Sequence, residues 1–200
     1  MNQPDFSLAA DRNKQPILDA LCRVLPERGS ALEIASGTGQ HVAWFASGLP
    51  DWTWQPTDAQ PGALNSIAQR VAQLGLSNVQ APLPLDVMAA QWLPDDARFD
   101  AIFCANMLHI APWATCAALM RGSARHLAPG GVLITYGPYL EDGVPTSAGN
   151  QAFDQSLQEQ NPDWGIRRRE DVEREAARAG LRLYARHALP ANNLLLVWSR

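Results

Sequence analysis

The segment Leu32-Glu33-Ile34-Ala35-Ser36-Gly37-Thr38-Gly39-Gln40-His41 decides how the rest of the chain is read. An apolar stretch carrying one acid enters a Gly-Thr-Gly turn, and the turn leads into residues with helical spacing. Strand, tight turn and helix in that order open a βα unit, where backbone passes close to a ligand at the carboxyl end of the first strand. A second acid, Asp58, closes the phrase Trp54-Gln55-Pro56-Thr57-Asp58, nineteen residues after Gly39. The second strand of such a unit is expected to end there, with its carboxylate placed to accept bonds from ribose hydroxyls.

Missing residues narrow the choice of ligand. A dinucleotide fingerprint needs a third glycine three residues after the second, and Val42 stands there. A phosphate loop needs Gly-Lys-Ser/Thr, and the chain's one lysine, Lys14, is far away. A glycine turn with an acid before it and another after the next strand suits S-adenosylmethionine, which has ribose and adenine but no phosphate.

Composition bounds the rest. With 46% hydrophobic residues, 200 residues bury one substantial core, so a single domain spanning 1–200 is expected. The net charge of -4 exerts no global pull on nucleic acid or anionic membranes. No apolar run approaches the roughly 20 residues of a spanning helix. The polar amino terminus lacks a basic region followed by an apolar stretch, so no signal peptide is expected and the cytoplasm is the expected location. Cys22, Cys104 and Cys116 lack paired spacing and read as buried thiols of a reducing compartment. His41, His109, His126 and His187 show no metal-ligand spacing, so no metal is expected.

Residues 1–11 read as a polar lead-in, and Ile17, Leu18, Leu21, Val24 and Leu25 then follow helical spacing within a segment at 12–28. Asp11-Arg12-Asn13-Lys14 lies just ahead, either as a helix start with solvated charges or as a segment folded over the ligand cleft. Strands are predicted at 31–35, 53–56, 79–85, 99–106 and 132–136, alternating with helices from 40, from Pro61 to Gly75, and from Pro112. That alternation argues a doubly wound, mostly parallel sheet with helices on both faces. Asp86 follows the third strand, as an acceptor for an adenine amino group or as a helix cap. The fourth strand delivers Asn106 and His109 to the rim that holds the glycine turn, and the fifth delivers Tyr136 and Tyr139.

Residues 138–166 form a polar insertion with a short helical piece at 153–157, a length typical of a lid. Arg167 to Arg169 read as a solvated run pairing with Glu170, Asp171 and Glu173. A helix around Val172 to Ala179 then leads to alternating residues 181–186 and the apolar run 194–198, joined by the short link 189–193. These last two segments are expected to pair as an antiparallel hairpin, which makes a seven-stranded class I methyltransferase sheet. Repeats and low-complexity segments are absent.

The chain resembles the methyltransferase-like twenty-six family, otherwise catalogued as a domain of unknown function. The resemblance rests on Arg12-Asn13-Lys14-Gln15-Pro16-Ile17-Leu18, Glu33 to His41, Trp54 to Asp58 and Asn106-Met107-Leu108-His109-Ile110-Ala111-Pro112-Trp113. It continues in Tyr136-Gly137-Pro138-Tyr139, Asn161-Pro162-Asp163-Trp164-Gly165-Ile166 and Leu189-Pro190-Ala191-Asn192-Asn193-Leu194. It implies a class I fold and an S-adenosylmethionine site, without a defined substrate. Ala35 stands where most class I methyltransferases have their first glycine.

In the methyltransferase reading the backbone of Ala35, Ser36, Gly37, Thr38 and Gly39 is expected to cradle the methionine and ribose portion. Glu33 orients the turn or meets the amino group through water, Asp58 takes the ribose, Asp86 and Val87 the adenine, and Asn106 the methionine end. His109 is the general-base candidate, on its ordinary pKa near 6.5, or a structural hydrogen bonder. Tyr136 and Tyr139 line the acceptor pocket or pack. Arg12, Asn13, Lys14, Trp113, Asn150, Asp154, Trp164 and Asn193 are expected to close the site. The partner is a small-molecule acceptor, with S-adenosylhomocysteine as product and no nucleic acid or membrane. The oligomeric state is undetermined. A non-catalytic binder of S-adenosylmethionine or its product is the alternative, and a nicotinamide-dependent oxidoreductase a third class, disfavoured by Val42 and the closing hairpin.

Overall fold

The computed structural model describes residues 4–200, so the first three residues of the polar lead-in lie outside it. A sheet forms the centre, in the order β3-β2-β1-β4-β5-β8-β7. Its strands are β1 (Gly29–Ile34), β2 (Trp52–Asp58), β3 (Leu83–Pro84), β4 (Phe99–Ala105), β5 (Leu127–Leu140), β7 (Arg182–Leu189) and β8 (Asn193–Ser199). A two-residue β6 (Arg167–Arg168) pairs with the end of β5, an eighth strand absent from the expectation. Strands β1 to β5 run parallel, and β8 is antiparallel to both β5 and β7. The seven-stranded layout with its closing hairpin is therefore present as expected.

Six helices flank the sheet: α1 (Leu8–Val24), α2 (Gln40–Gly48), α3 (Pro61–Leu74), α4 (Ala114–His126), α5 (Ala148–Gln160) and α6 (Arg169–Arg178). Because successive strand residues face opposite sides, each central strand feeds two cores. Ala101 and Phe103 of β4, with Leu195 and Val197 of β8, pack against Ile17, Leu21, Phe45, Trp54 and Ile67 of the first core. Ile102 and Cys104, with Leu196 and Trp198, pack against Leu119, Met120, Val172 and Ala176 of the second.

Several boundaries differ from the sequence reading: the strand expected at 79–85 is reduced to Leu83–Pro84 with an isolated bridge at Val79, and three other elements shift. Helix α1 begins at Leu8, capped by Ser7 Oγ accepting the Ala10 N–H at 3.2 Å, and it runs through Pro16. Leu8 to Asp11 are therefore helical residues, not a lead-in. Helix α5 covers 13 residues instead of the short piece at 153–157. Strand β5 begins at Leu127, and the expected Pro129-Gly130-Gly131 turn is a register irregularity within it, with Gly130 at φ 79°. Cys22 is exposed, unlike buried Cys104 and Cys116, because α1 turns it away from the sheet. Arg169 pairs with Glu170, Glu173 and Glu141, Arg168 with Asp142, and Asp171 with Arg174.

The chain passes from β1 outward to β2 and β3, then returns to place β4 on the other side of β1. The carboxyl ends of β1 and β4 flank this reversal, which is where open α/β sheets form a ligand crevice.

Candidate active site

The turn after β1 alternates left-handed residues: Ala35 at φ 54°, Gly37 at 55° and Gly39 at 72°. A Cβ on Gly39 would meet the Ile67 backbone of α3 at 3.0 Å, so glycine there permits close helix packing. A Cβ on Gly37 would meet nothing within 4 Å: the space before the turn is open. The end of β2 holds the turn in place. The Ser36 N–H donates to the Thr57 carbonyl at 2.8 Å, and the Thr57 hydroxyl donates to the Glu33 carbonyl at 2.7 Å. Asp58 accepts the Gly37 N–H at 2.9 Å through one carboxylate oxygen and the Gln60 N–H at 2.9 Å through the other. Asp58 thus organises the turn directly.

Glu33, the penultimate residue of β1, is buried, and its Oε2 has no hydrogen-bond partner among the described residues. Burial pushes its pKa up to about 8; the Ser36 side chain opposes the rise and nearby Asp58 adds to it. An orphaned buried carboxyl behind an open left-handed turn is complementary to a ligand that brings a positive amino group. The donor set also fits a ribose, since two lone-pair positions of Asp58 remain beyond its backbone bonds. On these observations the residues present fit S-adenosylmethionine.

A cavity of about 730 Å³ is walled by α1, the segment after β4, β5, α5 and the β7–β8 link; the glycine turn and Asp58 are not among its walls. Asn106, left-handed at φ 62°, donates its N–H to the Tyr136 carbonyl at 2.8 Å. Its side-chain oxygen lies 3.2 Å from His109 Nε2. The His109 ring leaves Gly137 no room for a Cβ, which would sit 2.2 Å from Cε1. Burial, and then the positive Arg167, lower the His109 pKa to about 4, and its Nδ1 has no partner. That corrects the ordinary value assumed from sequence: His109 is neutral at pH 7 and weakly basic. Burial raises the Tyr136 hydroxyl to about 12, opposed by the Asn13 side chain.

Arg12 and Asn13 of α1, Asn150 of α5 and Asn193 of β8 line this cavity, so α1 is folded over the cleft. The segment before α1 is tied to the glycine turn by residues the sequence reading did not single out. Gln40 accepts the Ser7 N–H at 2.6 Å and donates to the Ser7 carbonyl at 3.2 Å. Arg70 donates to the Thr38 carbonyl at 2.9 Å, and Ser66 accepts the Asp5 N–H at 3.0 Å. A large polar residue immediately after Gly39 was the available signal. Phe153, Ile110, Pro138 and Ala191 also line the cavity, and apolar side chains in loops carry no periodicity that would mark them.

Other expected site residues lie elsewhere. Lys14 pairs with Asp11 and sits 4.4 Å over the Trp44 ring, on another side of α1. Trp113 faces the Arg167 guanidinium at 5.6 Å outside the cavity. Asp154 accepts the Ile166 N–H at 2.6 Å, which ties α5 to the following segment. Trp164 is half-buried in that segment's turn and is not a cavity wall. Tyr139 lies in the second core, its hydroxyl donating to Thr135 Oγ1 at 3.0 Å, because it stands three residues after Tyr136 in β5 and so falls on the opposite face of the sheet. Asp86 is exposed and accepts the Met88 N–H at 2.8 Å; no helix follows for it to cap. Val87 lines a separate cavity of about 170 Å³ with Trp92 and His126.

The family model described as a protein of unknown function (DUF938) matches residues 4–200. Among solved structures, the chain is similar to an O-methyltransferase family protein from Burkholderia thailandensis, with TM-score 0.79 and 18% identity over 96% of this chain and 58% of that one. It is similar to the S-adenosylmethionine-dependent methyltransferase SibL in its apo form, with TM-score 0.79 and 21% identity over 96% and 55%. Human N-acetylserotonin methyltransferase in complex with SAM gives TM-score 0.77 and 16% identity over 94% and 51%. The chain spans little more than half the length of these proteins. At such identities the likeness establishes the fold, that of the Rossmann-like class I methyltransferases.

Proposed function

The chain belongs to the DUF938 family, and from that premise we propose that it is an S-adenosylmethionine-dependent methyltransferase acting on a small-molecule acceptor. The proposal keeps the resemblance to the methyltransferase-like twenty-six family. The observation that carries it is an open left-handed turn with an orphaned buried carboxyl at Glu33, at the sheet's reversal point, together with a cavity walled by Asn106 and His109 after the neighbouring β4. When bound, the cofactor supplies a sulfonium methyl: the acceptor's lone pair forms the new bond to carbon as the carbon–sulfur bond breaks, and the acceptor's proton leaves to water.

The chain's own residues then bind, orient and exclude water. Backbone from Ala35 to Gly39 cradles the amino-acid and ribose portion, Asp58 accepts from the ribose hydroxyls, and Glu33 faces the amino group. Exposed Asp86, with Val87, is the remaining acceptor for the adenine. Asn106 marks the boundary between cofactor and acceptor and, through His109, holds one wall of the cavity. Alignment and desolvation of this kind supply much of the acceleration available to a transfer whose leaving group is already activated. His109 acts as a neutral hydrogen-bonding group towards the acceptor.

A second reading, a non-catalytic binder, draws support from the two titratable groups that face the acceptor cavity, neither of them a near-neutral base: His109 is pushed down to about 4 and Tyr136 up to about 12. Product analysis with nucleophilic acceptors separates the two. The first test is calorimetric titration of the native protein and of Asp58→Ala with S-adenosylhomocysteine. Micromolar binding, weakened about tenfold or more in the variant, supports the site. No heat at any workable concentration rejects it.

A further inference from the structure

Resting on the methyltransferase reading, we propose that the acceptor is an apolar molecule with one carboxylate, and that Arg12 is the residue that selects it. Arg12 is the one charged side chain among the cavity walls. Ala9, Arg12, Asn13 and Pro16 recur on α1 at spacings of three and four, which places them along one face of the helix. Lys14, on another side of the same turn, is neutralised by Asp11. Arg12 forms no ion pair or side-chain hydrogen bond among the described residues, and no acid stands with it in the wall.

The asparagines of the wall carry no charge, and each already has one side-chain atom engaged. Asn13 lies 2.6 Å from His41 Nε2, and Asn106 contacts His109. Asn193 donates to the Pro190 carbonyl at 3.0 Å and Asn150 to the Asn192 carbonyl at 3.4 Å. Both histidines are held neutral by burial. Ile110, Tyr136, Pro138 and Phe153 supply the apolar surface. Such a cavity welcomes an apolar body, offers a cation no opposite charge, and offers a planar anion one free guanidinium fork. Arg12 is exposed, so its pairing tunes affinity without dominating it.

The test titrates 6-hydroxy-2-naphthoate and its methyl ester into the native protein, Arg12→Gln and Arg12→Glu, with and without saturating S-adenosylhomocysteine. The native protein is expected to prefer the acid by about three- to tenfold. The preference should vanish in Arg12→Gln and invert in Arg12→Glu, while melting temperature and S-adenosylhomocysteine affinity stay unchanged. Equal binding of acid and ester to the native protein, preference surviving in Arg12→Gln, or no binding of either at millimolar concentration would overturn the proposal. Acid selection through Arg12 without any binding of S-adenosylhomocysteine would uphold the carboxylate site and reject the cofactor reading, so the two failures are separable.

Discussion

Three buried side chains at the site titrate far from their ordinary values, and their signs predict how stability responds to pH. His41 and His109 are lowered to about 4, so below 6.5 the unfolded chain binds protons that the folded one refuses. Stability from these two groups is lost as pH falls from 6.5 towards 4. Glu33 works in the opposite direction: raised to about 8, it keeps its proton in the folded state where the unfolded chain has released it. Its contribution is present below 4.5 and is lost as pH rises to 8. Each group contributes on the order of 1.4 kcal/mol per pH unit in its window. Two histidines against one glutamate raise stability between 4.5 and 6.5, and Glu33 alone lowers it from 6.5 to 8. Urea denaturation across this range should show a maximum near pH 6.5, and Glu33→Gln should flatten the alkaline side. An unchanged alkaline slope in that variant would rule out Glu33 as its source. None of these shifts was legible in the sequence, because a pKa depends on what surrounds the group; the acids themselves were, from their positions at the ends of two strands.

Among the elements, the best-read ones carry a proline start and a glycine stop in the sequence and the worst-read do not. Helix α3, opening on Pro61 and closing on left-handed Gly75, matches its prediction end for end. Helix α5 buries only Asn150 and Leu157, so its periodicity is faint. The first two turns of α1 bury only Ala10, which made Ile17 look like the beginning. The lid and the strap over the turn were consequently under-read, although both border the cavity. The strap yields a prediction: Gln40→Ala removes the partner of both Ser7 backbone groups. It should cost about 1–2 kcal/mol and accelerate amide exchange at residues 5–10. Unaltered exchange there would mean that the strap is held without Gln40. Gly137 and Gly122 make a second, paired prediction. An alanine at either position drives a Cβ into a ring, His109 at 2.2 Å or Trp92 at 2.1 Å, and should destabilise by about 1–3 kcal/mol. Only Gly137→Ala should also weaken naphthoate binding, since His109 walls the large cavity. Equal weakening by both variants would place that effect in general stability instead.

At the scale of the molecule, the alternating pattern of strands and helices was enough to recover a mostly parallel sheet closed by an antiparallel hairpin, with the strand order left to the structure. Chain reversal after β3 brings Glu33, Asp58 and Asn106, from three different strands, to one rim. What the pattern could not give was depth. It placed Tyr139 and Trp164 at the same edge, whereas strand alternation between Tyr136 and Tyr139 puts Tyr139 in the second core, and neither residue is in the cavity wall. Continuity of the sheet from β3 to β7, with both cores sharing β1, β4 and β8, leads to the proposal that the chain unfolds as one unit. A ligand bound at the rim should then stabilise all of it. At a concentration a hundred times its dissociation constant, S-adenosylhomocysteine contributes about 2.7 kcal/mol, which for a domain of this size moves the melting temperature by about 5–10 °C. Near-ultraviolet signals from the buried tryptophans and far-ultraviolet signals from the helices should shift together. Two separated transitions, with only one moved by ligand, would divide the chain into independent units and confine the site to one of them.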